Sequence, residues 1–162
     1  MDERNGVLAA LIERGGIYPG VKGSTPREVL SALVKAIPPI HSVSSDVLLK
    51  AVLEREALMS TGIGEGIALP HPRNPLVSAD SEQFAALAFL EAPVNWNSLD
   101  GKPVDTALLI VSALAKTHLQ VLSEMSFFSR EEEFCRLLKE RASQEELLCF
   151  IRETEKNWRS KQ

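Results

Sequence analysis

The chain has 162 residues, 44 % of them hydrophobic and 25 % charged, a balance that fits one globular domain able to bury its own core without disulfides or metal. The formal net charge is −4 and no Lys/Arg cluster is long enough to neutralise a run of phosphates, which excludes nucleic acid as the main partner. No apolar run approaches the roughly 18 residues of a membrane span, and the polar start Met1-Asp2-Glu3-Arg4-Asn5 lacks the apolar core of a secretion signal, so a cytoplasmic protein without direct membrane insertion is expected.

Read from the N-terminus, residues 6–16 can form a short helix through Val7, Leu8, Leu11 and Ile12, stopped by Gly15 and Gly16. Residues 17–21 are few and contain Pro19, which restricts them to an edge strand. The first strong helix signal is Thr25-Pro26-Arg27-Glu28. Thr25 offers a cap, Pro26 suits the first helical position and Glu28 completes a capping box. Val29, Leu30, Leu33, Val34 and Ile37 follow at helical spacing until Pro38-Pro39 ends the run. Ser44 or Ser45 opens the next helix, with Val47, Leu48, Ala51 and Val52 on its packed side, to about Leu58. Arg55 falls in its last turns, where the helix dipole favours a cation.

Residues 60–71 read STGIGEGIALPH. Glycines at alternate positions strip the backbone of side chains, so an oxyanion can approach the main-chain N–H donors. A short apolar piece, residues 67–69, then delivers His71 between Pro70 and Pro72, two residues whose fixed φ angles leave it little backbone freedom. The glycine pattern is not G-x-G-x-x-G and lacks the Lys-Ser/Thr ending of a P-loop, so nucleotide binding does not follow.

Residues 80–94 support two readings. By propensity they make an alanine-rich helix capped near Ser81, whereas a continuous apolar run bounded by Pro93 also fits a fully buried strand. Asp100-Gly101 centres a turn over residues 97–102, and residues 104–111 read as a second buried strand. Thr117-His118-Leu119-Gln120 has the form of a capping box, with Thr117 as N-cap, His118 in the first turn, and Leu119, Leu122 and Met125 on the packed face. A histidine there meets the positive end of the dipole, which favours the neutral imidazole and attracts an anion. Ser129-Arg130-Glu131-Glu132 and Ser143-Gln144-Glu145-Glu146 read as further capping boxes, followed by Phe134, Leu137 and Leu138 and by Leu147, Leu148 and Ile151. Beyond Glu155 a frayed tail is expected. Cys135 and Cys149, without C-x-x-C pairing, are expected to be buried free thiols. His41 has no motif around it and reads as structural or surface.

The twelve-residue string, with Arg55-Glu56 before it and Lys116-Thr117-His118-Leu119 after it, resembles the enzyme IIA domain of the fructose/mannitol/nitrogen-regulatory (type 2) branch of the bacterial phosphotransferase system. The resemblance spans residues 17–155, leaving residues 1–16 as an N-terminal extension and 156–162 as a tail. It implies a single three-layer α/β domain: a mixed, mostly parallel sheet flanked by helices on both faces, residues 80–94 being a strand and the site lying at the sheet edge where residues 67–71 end.

The resemblance further implies that His71 is the phosphorylated nucleophile and that His118 contacts or stabilises the phosphate. Arg55 and Glu56 align with an Arg-Glu pair of the family, which makes Arg55 a candidate phosphate neighbour. The Thr61 hydroxyl and the backbone at Gly64 and Gly66 are further candidate phosphate donors, and no metal or cofactor is called for. The implied partners are an HPr-like phosphocarrier as donor and a IIB domain or a regulatory target as acceptor. With neither a membrane segment nor a IIB segment in the chain, the nitrogen-regulatory type is favoured, a phosphotransferase component rather than a stand-alone enzyme. Two departures from the family pattern bear on the partner-facing rim: the Leu-Val-Pro loop before the Thr-His-Leu step is missing, and Pro72-Arg73 stands where small residues or lysine are usual. A regulatory binding module that keeps the docking surface without the chemistry is the alternative. A histidine metal site is weakest, because His71 and His118 bring no obvious third ligand.

Overall fold

A computed structural model describes residues 6–39 and 42–160, so His41 lies outside the described residues. The chain runs α1 (Leu8–Gly15), β1 (Ile17–Val21), α2 (Pro26–Ala36), α3 (Ser45–Leu58), β2 (Gly62–Gly64), β3 (Ile67–Ala68), a 3-10 turn (Asp80–Glu82), β4 (Phe84–Val94), β5 (Val104–Val111), α4 (Ala115–Phe128), α5 (Glu132–Lys139) and α6 (Gln144–Ser160). The strands form one mixed sheet in the order β1-β4-β5-β3-β2. β1 pairs with β4, and β3 with β5, in parallel, while β4 with β5 and β2 with β3 are antiparallel. β1 is an edge strand, as Pro19 requires. β3 is one strand in from the other edge, which β2 occupies.

Residues 84–94 are strand, and the alternation along them explains why their sequence looks continuous. Ala85, Leu87 and Phe89 belong to one core with α1, α4, α5 and α6, whereas Phe84, Ala86, Ala88 and Leu90 belong to another with α2 and α3. A strand buried on both faces has no polar positions to mark its period of two. The same holds for β5, where Leu108 and Ile110 face the first core and Ala107, Leu109 and Val111 the second. The three layers follow directly.

Several helix starts are set by local chemistry. Thr25 Oγ1 accepts from the Glu28 amide at 3.2 Å, while the Glu28 carboxylate reaches one residue further back than a capping box prescribes, to the Ser24 amide and hydroxyl at 2.7 and 2.8 Å. Ser44 caps α3 through the Val47 amide at 3.2 Å, and Ser143 accepts from the Glu146 amide at 3.2 Å. Two expected caps are corrected. α4 begins at Ala115, with Leu114 in the capping position and no side-chain cap, because the three-residue link from β5 turns straight into helix; Thr117 is buried inside the first turn. α5 starts after Glu131, also without a side-chain cap, and Ser129 closes α4 by giving its amide to Met125 O at 2.9 Å.

Further corrections concern burial. Val47 and Leu119 are exposed, at 52 % and 65 %, although helical spacing placed them on packed faces. Cys149 is exposed and Cys135 half-buried, both as free thiols. α6 continues in regular helix through Ser160, past the point where fraying was expected.

The start of α1 carries a feature with no local signal. Val7, in the capping position, offers no side-chain hydrogen bond. Instead Glu124 of α4 accepts from the Val7 and Leu8 amides at 3.1 and 3.2 Å, and Glu155 of α6 accepts from Ala9 at 3.2 Å. Both glutamates are buried. Burial first, and the Glu155 charge with it, push the Glu124 carboxyl up to about 8 against the pull of the two amides. Its second oxygen has no hydrogen-bond partner, and the raised value keeps a proton on the carboxyl at neutral pH.

Candidate functional site

The residues that precede His71 are fixed by hydrogen bonds that begin at the end of α3. Arg55 donates from Nη1 to Met59 O at 2.7 Å, satisfying a carbonyl that the helix end leaves open. Glu56 accepts from the Thr61 hydroxyl at 2.7 Å and the Thr61 amide at 3.3 Å, and the indole of buried Trp96 donates to the same hydroxyl at 3.3 Å. Thr61 is therefore an anchor between α3 and the sheet, with its hydroxyl engaged on both sides.

The glycines make the β2–β3 hairpin. Gly64, Glu65 and Gly66 all have positive φ, at 99°, 56° and 77°, which only the two flanking glycines adopt without strain. A Cβ on Gly64 would come 3.2 Å from Asp100 Oδ2, and one on Gly66 would come 2.9 Å from Asp105 Oδ1. The Glu65 amide donates to Asp100 Oδ2 at 2.9 Å, and Gly66 O accepts from Asp105 and Thr106 amides at 3.0 and 3.1 Å. The bare backbone lets the hairpin tip settle against two carboxylates.

Beyond β3 the chain stays extended. Leu69 donates its amide to Thr61 O at 2.9 Å, and Pro70 O accepts from Ile110 of β5 at 3.0 Å, so the strand geometry persists to the residue before His71. His71 Nδ1 lies 2.8 Å from Leu69 O. A carbonyl can only accept, so Nδ1 carries the ring proton and Nε2 holds the lone pair. His118, in the first turn of α4, brings its ring centroid to 4.5 Å from that of His71 at a 50° tilt.

Both imidazoles are held neutral. His71 is lowered to about 4, chiefly by burial, with the Leu69 carbonyl opposing and with His118, when it carries a proton, and the Arg55 charge adding to the lowering. His118 is lowered by burial and then by Arg55. Arg55 thus acts on both rings through its field while its hydrogen bond goes to the backbone. A neutral ring with a free Nε2 is a nucleophile at neutral pH, and a nearby cation favours an anionic group placed on it.

Of the residues singled out in the sequence, the structure brings His71, His118 and Arg55 into one electrostatic unit. It sets Thr61 as the anchor of the hairpin, through Glu56 and Trp96, and Gly64 and Gly66 at its tip, where the Gly66 carbonyl accepts from the Asp105 and Thr106 amides. Sequence reasoning gave no part to Ser112, which directly follows β5 and lines a cleft with His118 and Arg73. The usable signal was a hydroxyl residue at the carboxyl end of a buried strand that runs parallel to the one leading to His71, a position where α/β sheets present ligands. Among the described residues no three His, Cys, Asp or Glu side chains cluster closely enough to hold a metal ion, and no helix is long and apolar enough to cross a membrane.

Residues 10–154 match the model of the family described as phosphoenolpyruvate-dependent sugar phosphotransferase system, EIIA 2. The nitrogen regulatory protein of Escherichia coli (strain K12) is 36 % identical over 150 residues, covering 91 % of this chain and 91 % of that protein. Among solved structures, the nitrogen regulatory protein IIA-Ntr of Neisseria meningitidis superposes with a TM-score of 0.70 at 27 % identity, over 83 % of this chain and 91 % of that one. Enzyme IIAMTL of Escherichia coli, solved in complex with phosphorylated enzyme IIBMTL, gives a TM-score of 0.62 at 22 % identity over 83 % and 92 %, which shows a shared fold.

Proposed function

The chain belongs to the EIIA 2 family of the phosphoenolpyruvate-dependent sugar phosphotransferase system, and on that premise we propose that it is a histidine phosphocarrier of the nitrogen-regulatory kind. His71 accepts a phosphoryl group from a phosphorylated HPr-like donor and passes it to a IIB partner or holds it as a regulatory signal. The observation that carries this reading is the Nδ1–H bond to Leu69 O beside the ring of His118. It leaves one nitrogen, Nε2, free to attack.

In the transfer, the Nε2 lone pair forms a bond to phosphorus as the bond to the donor's leaving atom breaks, and the electron pair of that bond stays with the donor. The attacking nitrogen carries no proton, so none has to be removed first. Negative charge in the loose transition state spreads over the equatorial oxygens, and the positive field of Arg55 together with the uncapped start of α4 stabilises it. His118, neutral and in ring contact, orients His71 without competing for a proton.

A protein-sized partner fits the rim. Leu114 and Leu119, on either side of His118 in the sequence, are 51 % and 65 % exposed, and exposed apolar side chains beside a reactive group suit a docking protein better than a small sugar. That the structural neighbour enzyme IIAMTL forms a complex with phosphorylated enzyme IIBMTL supports a IIB-type partner for this chain.

The test is reconstitution with phosphoenolpyruvate, enzyme I and HPr, followed by intact-mass measurement. One acid-labile phosphate per chain is expected, and none in His71→Ala. Phosphate retained by that variant would overturn the assignment. Full-affinity binding to a regulatory target by a chain that takes no phosphate would favour a binding module instead.

A further inference from the structure

β3 and β5 run parallel, with His71 beyond the carboxyl end of the first and Ser112 directly after the second, and His118, whose ring lies 4.5 Å from that of His71, lines the same cleft as Ser112. Between residues 72–75 and the first turn of α4 lies a cleft of about 90 Å³ whose lining includes Arg73, Asn74, Ser112, Ala115 and His118. That is far below the roughly 300–1,000 Å³ of a site for a drug-sized ligand, and suits one small group. No carboxylate among the described residues lines it.

Two independent features mark the cleft for an oxyanion. Ser112 is 5 % exposed and its hydroxyl has no hydrogen-bond partner, a standing penalty that an acceptor in the cleft would remove. α4 is a helix of 14 residues that begins with no side-chain cap, so the Ala115 and Thr117 amides lack an intrahelical acceptor and stand at the positive end of the dipole. The amides that bracket them are already used: Ala113 donates to Gln83 Oε1 at 2.8 Å and His118 to Leu114 O at 3.2 Å.

We propose that this cleft is the oxyanion subsite of the molecule, and that it holds the phosphoryl oxygens of phosphorylated His71. The Ser112 hydroxyl and the first-turn amides of α4 donate to those oxygens, and the Arg73 guanidinium closes the outer side. The glycine string, whose Gly64 and Gly66 lie against Asp100 and Asp105, is a poorer place for a dianion. The occupant named here rests on the phosphocarrier reading. The cleft's affinity for a tetrahedral oxyanion does not.

The experiment is a titration of ¹⁵N-labelled protein with inorganic phosphate at constant ionic strength, read at the Ala115 and Thr117 amides. Saturable shifts are expected in the wild-type chain and in His71→Ala, with none from chloride. Ser112→Ala weakens binding roughly tenfold, as expected for losing a hydrogen bond to a charged group, while its melting temperature does not fall and should rise, because the hydroxyl had no partner to lose and its burial penalty goes with it. Arg73→Gln weakens it about threefold, and less at high salt. Once His71 is phosphorylated the same amides are already shifted and added phosphate moves them no further. A phosphorylated chain that never shows the amide response, or a Ser112→Ala variant that binds phosphate as the wild type does, overturns the subsite and leaves the carrier reading standing. Undiminished binding of free phosphate to the phosphorylated chain overturns the occupant. A chain that fills the cleft but accepts no phosphate on His71 overturns the occupant and the carrier reading together.

Discussion

At two places the molecule buries like ionisable side chains against each other, His71 with His118 where β3 and β5 end, and Glu124 with Glu155 where α1 begins. The physics is the same: burial and a like neighbour both favour the uncharged form. The outcome differs because the two side-chain types start on opposite sides of neutrality. For histidine the neutral form is the one already dominant at pH 7, so burial costs little and leaves a usable nucleophile. For glutamate the neutral form must be held by taking up a proton, and the stability of the fold becomes tied to keeping it. One helix, α4, contributes to both pairs, with His118 in its first turn and Glu124 further along.

The largest effect that would break the symmetry is Glu124→Ala. It strips the acceptor from the Val7 and Leu8 amides and should lower stability by about 3 kcal/mol, read by urea unfolding. Glu124→Gln keeps an acceptor and should lose far less. Equal losses in the two variants would show that the amides are not what the carboxyl serves.

Next comes pH. His71 has a folded value of about 4 against an ordinary 6.5, so its contribution is complete above pH 6.5 and is lost as pH falls through 4. Glu124, raised from 4.5 to about 8, contributes fully below 4.5 and loses its contribution as pH rises toward 8. Between 4.5 and 6.5 the two slopes oppose. Above 6.5 the glutamate acts alone, and stability should fall by on the order of 2 kcal/mol by pH 8. In Glu124→Gln that fall should vanish and a rise between pH 4.5 and 6.5 should emerge. An unchanged profile in the variant would assign the slope to other groups.

A smaller effect separates the hairpin from the site. Thr61→Val removes the hydroxyl shared by Glu56 and Trp96 and should cost about 1 kcal/mol without moving the His71 titration. The smallest concerns the rings themselves. In His118→Gln the His71 midpoint, followed by NMR of its ring protons, should rise by less than about one unit, since burial and not the neighbouring ring is the main cause of its depression. A return to the ordinary value would make His118 the dominant influence.

How far the sequence could be read follows the reach of each interaction. α2 and α3 announce themselves because their caps, Thr25 and Ser44, lie three residues from the amides they bind. β4 could be taken for a helix because two cores claim alternate residues and leave no polar phase to see. α4 begins ahead of its apparent cap because a short link dictates where the chain turns, and a Thr-x-x-Gln pattern then falls inside the first turn. The caps of α1 come from 116 and 117 residues away on α4 and from 146 away on α6, distances at which no local pattern speaks. At the site, the motif singled out His71, His118 and Arg55, all of which converge. The glycines were legible as bare backbone, but not the fact that the groups beside them are Asp100 and Asp105, since those lie beyond the hairpin in the chain.

The group that fixes the tautomer of His71, and so leaves Nε2 without a proton, is a carbonyl of the peptide chain itself, two residues upstream. No substitution can delete a main-chain oxygen. The side chains around the ring can therefore change one by one while the bare nitrogen is inherited with the fold.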